Sequence, residues 1–149
     1  MQGNLDQLGP PEFDKEEKVY AKKYQDTLSR KDIESAYSHA GIDIVEGQVL
    51  PEAVVPGDAK PVDMGGSTDV ADVSWVVPTV SLWGANYAIG TPFHSWQMTA
   101  QGKSSIAIKG MTHAAMVMAA TGSDLMTNKK ILEDAWREHN KTIEKEGYM

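Results

Sequence analysis

With 149 residues, 41% of them apolar and 23% charged, the chain is long enough to bury a core in one domain and too apolar to stay disordered. A net charge of −7 excludes wrapping nucleic acid or docking on an acidic membrane, since both need basic patches. The absence of cysteine excludes disulfides and thiolate metal sites, so any metal here takes His, Asp or Glu ligands.

Residues 1–12 read as a lead-in, because Pro10 and Pro11 forbid a regular helix across them. The stretch has neither the basic start nor the apolar core of a signal peptide. Asp14 and Glu17 form a D-x-x-E capping box for a surface helix over residues 15–28, with Val19, Tyr20, Tyr24 and Leu28 as its apolar stripe. A weaker pattern over 31–40 suggests a short helix, and Ile42, Ile44 and Val49 suggest a strand fragment. Pro51, Pro56, Gly57 and Pro61 then punctuate a long loop.

The stretch 65–101 organises the rest. It carries Trp75, Trp83 and Trp96, and no Lys, Arg or Glu occurs from residue 61 to 101. Gly65-Gly66-Ser67 permits a tight turn, after which Ser67 or Thr68 caps a short helix over 69–75. Residues 76–82 are rich in β-branched side chains and read as a buried strand, running on to residue 89. Gly90-Thr91-Pro92 ends it and places His94 in the loop beyond. Residues 101–123 read as a helix capped by Ser104 or Ser105, apolar nearly all round and therefore packed on both sides. Thr127 caps a last helix over 128–145. One strand alone leaves its backbone groups unpaired. The expected fold is thus α/β, a partial sheet flanked by helices inside a larger α/β domain. The longest uncharged run is broken by Pro78, Gly84, Gly90 and Pro92 and fails as a bilayer span, so a soluble, cytoplasmic protein is expected.

His94 leads the groups able to do chemistry. A lone histidine is more often structural than a ligand, but this one follows a strand, where ligands of open α/β sheets gather, and Trp96 beside it offers a wall against water. Asp69 and Asp72 lie three apart and share a helix face, which suits a metal ligand or a partner for a histidine. The plainer reading is two anions favoured near a helix N-terminus. The Gly65–Ser67 turn lacks the glycine patterns of nucleotide sites, and Ser67, Ser74 and Ser95 lack a nucleophile-elbow context. His39, His113 and His139 read as structural, and the methionines at 111, 116, 118 and 126 as core filler.

The run GSTDVADVSWVVPT (66–79), followed by AIGTPFHSWQMTAQGKSSIAIKGM (88–111), resembles the C-terminal part of the aminobenzoyl-glutamate hydrolase family. That family lies within the di-metal aminoacylase and carboxypeptidase-like amidohydrolase (metallopeptidase) superfamily. The opening NLDQLGPPEFDKEEKVYAKKYQ (4–25) is similar to the segment after the family's inserted dimerisation domain. The resemblance implies that residues 1–149 are a single unit, the second half of a phosphorylase/hydrolase-like α/β catalytic domain, with the lid or dimerisation domain absent. It implies two zinc or manganese ions that activate a water to cleave an amide, with a glutamate as base. It further implies that His94 is the last metal ligand and that Ser67, Thr68 and Asp69 line the active site, with Trp96 beside them. The family's H-x-D motif has no counterpart here, and Glu16-Glu17 lies at the start of a surface-type helix and does not match the family's Glu-Glu pair, so no catalytic residue is expected in this chain.

The function so implied is that of a C-terminal piece of a metal-dependent amidohydrolase acting on an N-acyl or aminobenzoyl-glutamate-type amide. It would supply one zinc or manganese ligand and be inactive alone. Its partner would be the N-terminal half of the catalytic domain on another chain, or a homo-oligomer. A second reading makes the chain a non-catalytic remnant, a partner-binding or self-assembling α/β module.

Overall fold

The computed structural model describes residues 1–60, 62 and 65–146. Among them the chain forms seven helices: α1 (Gln2–Leu8), α2 (Lys15–Gln25), α3 (Arg30–Ala40), α4 (Val70–Val76), α5 (Trp96–Gln101), α6 (Ser105–Thr127) and α7 (Lys129–Glu146). None of the helices is long and apolar enough to cross a membrane.

The expected α/β fold with its partial sheet is not found: there is no strand among the described residues. Val76 closes α4, and Val77 is extended (φ −142, ψ 150). The backbone N–H groups of Thr79, Val80, Ser81, Leu82 and Trp83 find no acceptor among the described residues. Val80 and Trp83 are 61% and 66% exposed. β-Branched residues set an extended backbone locally, but a strand exists only when a neighbour completes its ladder. The expected neighbour around Ile42, Ile44 and Val49 is turns and irregular chain, joined to the central stretch among the described residues by one backbone bond, from Ile89 N–H to the Val49 carbonyl (2.9 Å).

The helix signals near the start hold, with changes of detail. Asp14 accepts from the Glu17 backbone N–H (2.9 Å), and Glu17 Oε2 accepts from that of Asp14 (2.8 Å), so the capping box closes. The inward line of α2 is not the aromatic stripe, however, but Glu17, Ala21 and Gln25, spaced four apart, while Val19 is exposed. Residues 2–8, read as a lead-in, form α1, which ends before the two prolines. α1 is tied to α6 by Asn4 Nδ2, which donates to Thr121 Oγ1 (3.2 Å) and Asp124 Oδ2 (2.8 Å). His113 Nε2 lies 2.6 Å from the Gly9 carbonyl, a second tie between α6 and the end of α1. Ser29 and Asp32 make a second capping box for α3.

The helix expected over 101–123 is found as α6, shifted to Ser105–Thr127, and a separate short helix, α5, precedes it. α5 stops at Gln101, and Ser104 caps α6 by accepting from Ala107 N–H (3.1 Å). The cap of α7 is Asn128, whose Oδ1 accepts from Lys130 N–H (3.1 Å), because Thr127 is still inside α6 and donates to the Ser123 carbonyl (2.7 Å). The core gathers Ala21, Val49, Leu50, Ala88 and Ile106, with Phe13, Tyr20 and Tyr24 packed around them. It therefore joins α2, the central stretch and the start of α6.

Glu17 links this core to charge. Its buried carboxylate accepts from Lys109 Nζ (2.7 Å) across to α6. Burial raises its pKa, but the Lys109 ammonium, Ser105 and the Asp14 backbone together outweigh that and hold it below the ordinary 4.5. A lowered folded-state value means the stabilisation is complete above pH 4.5 and is lost as pH falls through the folded value. Glu17→Gln should cost about 1–3 kcal/mol at neutral pH and flatten the fall of stability in acid. Urea melts at pH 7 and below pH 4 check both.

Candidate functional site

His94 stands between the extended central stretch and α5, and the chain on either side of it is pinned. Gly90 (φ 91) turns the backbone against α3, where a Cβ would stand 3.0 Å from Ile33 Cγ1 and 3.1 Å from its Cα. Gln101, 1% exposed, accepts from Ala88 N–H (2.8 Å) and donates to Thr91 Oγ1 (3.1 Å) and the Gln97 carbonyl (3.0 Å). Gln25 donates to the carbonyls of Gln48 (3.0 Å) and Ile89 (3.3 Å). On the far side Ser95 Oγ accepts from Met98 N–H (3.2 Å), capping α5, and donates to the Pro92 carbonyl (2.7 Å).

Between these anchors His94 has φ 57, and no other non-glycine residue described has a positive φ. The left-handed region costs such a residue about 1–2 kcal/mol, a strain that persists only where the surroundings impose it and that clusters at functional sites. The imidazole is exposed and makes no hydrogen bond among the described residues.

Two aromatic groups flank it. Phe93 meets Trp83 (ring centroids 5.6 Å apart) and Tyr87 (6.1 Å), while Trp96 meets Tyr24 (6.2 Å) and Tyr24 meets Tyr20 (5.1 Å). Trp96 is 62% exposed, so within this chain it walls off no water. The Tyr20–Tyr24 hydrogen bond and burial push Tyr20 up to about 12, and burial pushes Tyr87 above its usual 10. Neither phenol becomes an anion at neutral pH.

Ser67, Thr68, Asp69 and Asp72 all lie exposed at the start of α4. Thr68 Oγ1 accepts from Val70 N–H (3.3 Å) and its carbonyl from Ala71 N–H (3.0 Å), while Asp69 makes no side-chain cap. Among the described residues no three of His, Asp and Glu gather closely enough to hold a metal. A catalytic zinc usually takes three protein ligands. The described residues therefore do not make a three-ligand metal site by themselves.

The anchoring glutamines escaped the sequence reading. Their trace is the four-residue spacing of Glu17, Ala21 and Gln25, and of Gln97 and Gln101, which marks one helix face.

The chain is 34% identical, over 97% of its length, to a p-aminobenzoyl-glutamate hydrolase subunit of Escherichia coli. It is similar to one part of that subunit. The match spans 32% of the Escherichia coli protein's own length. No family model matches the chain, and no solved structure matches it. The match runs through almost the whole chain, so the segment around His94 lies within it.

Proposed function

We propose that this chain forms the C-terminal part of a metal-dependent amidohydrolase site, in which His94 gives one imidazole to a zinc or manganese ion. The remaining ligands and the general base come from a complementary polypeptide. The supporting observation is the state of His94: left-handed, exposed and anchored on both sides, in a chain this similar to a hydrolase subunit. The substrate class is an N-acyl or aminobenzoyl-glutamate-type amide, by analogy with the name of the Escherichia coli relative.

A zinc or manganese ion bound there would supply Lewis acidity and an activated water. The chain's own share is positional. Gln25, Gln101 and Ser95 fix the backbone that aims the imidazole, and Ser67, Thr68, Asp69 and Trp96 line the approach.

The test mixes this chain with a polypeptide covering the part of the Escherichia coli subunit outside the match, adds zinc or manganese, and measures release of aminobenzoate from aminobenzoyl-glutamate. The pair should cleave and the chain alone should not. A pair that binds but stays inactive with either metal contradicts the proposal.

A further inference from the structure

α6 has two apolar faces and only one is covered. Ile106, Gly110, Val117 and Thr121 are buried, and His113 and Lys109 are tied to neighbouring elements. On the opposite side Ile108, Met111, Ala115, Met118, Ala119 and Met126 are exposed at helical spacing, with Met118 at 60% and Met126 at 89%. This stripe carries no charge and runs about 27 Å along the helix. The expectation that this helix packs on both sides fails within the chain alone. Monomers rarely expose contiguous apolar patches of more than a few hundred Å².

The total surface shows the same shortfall of cover. The chain exposes 10421 Å². A compact monomer of 16.3 kDa exposes about 7,500 Å², so the excess is about 2,900 Å². A standard interface covers only about 800 Å² per partner. A net charge of −7 opposes stacking a second copy on this face. The match leaves most of the Escherichia coli subunit outside it, which is ample chain to cover such an area.

We propose that the Ile108–Met126 stripe of α6 is the seat of the complementary hydrolase polypeptide, the part corresponding to the unmatched portion of the Escherichia coli subunit. This rests on the function proposed above and names the surface through which the two parts join. The stripe is neutral and rich in methionine and alanine, so it takes an apolar face of that polypeptide and holds it by burial rather than by ion pairs.

Binding of the recombinant complementary polypeptide to this chain, measured by calorimetry, tests it with Met111→Glu, Met118→Glu and, as a control on α2, Val19→Glu. All three positions are exposed, so circular dichroism and the melting temperature of the free chain should be unchanged. Each α6 variant should weaken binding at least about tenfold and the control should not. If the wild type binds and cleaves while both α6 variants bind as tightly, the surface is misassigned and the hydrolase reading stands. If the α6 variants abolish binding but the wild-type pair never cleaves, the surface stands and the hydrolase reading falls. No binding by the wild type, or a homodimer in sedimentation that Met111→Glu dissolves, overturns the surface assignment.

Discussion

His94→Ala in the reconstituted pair lowers kcat/KM by at least about 100-fold, because groups that merely orient a metal ligand already cost about 10–100-fold when removed. The loss should not come from misfolding. The ring is exposed and makes no hydrogen bond among the described residues, so the free chain loses little by its removal. His94→Gly separates the two roles further. Glycine accepts φ 57 without strain, so this variant should be as inactive as the alanine one. It should also be more stable than the parent, by up to about 1 kcal/mol after glycine's entropy cost. Steady-state kinetics and denaturant melts of both variants check the pair of outcomes. A variant that gains stability while losing all activity marks a residue strained for use, and one that loses both marks a structural histidine.

The largest effect on folding should come from Gly110→Ala. A Cβ at this position would lie 2.1 Å from Asn86 Oδ1 and 2.3 Å from the Ala85 carbonyl oxygen. The second of these is backbone and cannot swing aside. Asn86 Oδ1 is itself buried without a hydrogen-bond partner among the described residues, so pressing it further into the contact recovers nothing. The central stretch must lift from α6, which opens the core between Ala88 and Ile106. A cost of about 3 kcal/mol or more is expected, at the upper end for an overpacked site. Urea unfolding of Gly110→Ala against Gly122→Ala on the same helix measures it, since nothing lies within 4 Å of a Cβ at Gly122.

What can be read from the sequence is what short-range chemistry decides. The box of Asp14 and Glu17 and the cap at Ser104 are visible because each is one side chain bonding a backbone group three residues on. The same locality explains the failures. Residues 76–82 have the side chains of a strand, and Val77 is extended, yet pairing depends on a neighbour that the described residues do not supply. The composition of residues 101–123 predicts a helix packed on both sides, but composition reports what a helix needs and not whether the chain supplies it. For the site, position alone singles out His94. Its left-handed backbone has no local sequence signal, and the buried glutamines that anchor the chain before it bond across 10 to 64 residues, as with Gln101 to Thr91 and Gln25 to Ile89. Asp69 and Asp72 are legible as a pair on a helix face, and among the described residues the structure gathers no metal-holding group around them.

The most direct test is a zinc titration of the joined pair, with only this chain labelled, followed through the imidazole nitrogen resonances of its four histidines. The His94 ring nitrogen should move to its metal-bound position at the first equivalents, while His39, His113 and His139 stay where they were. If zinc binds and restores cleavage with the His94 resonance unmoved, the ion is held by other groups and the account of this loop is wrong.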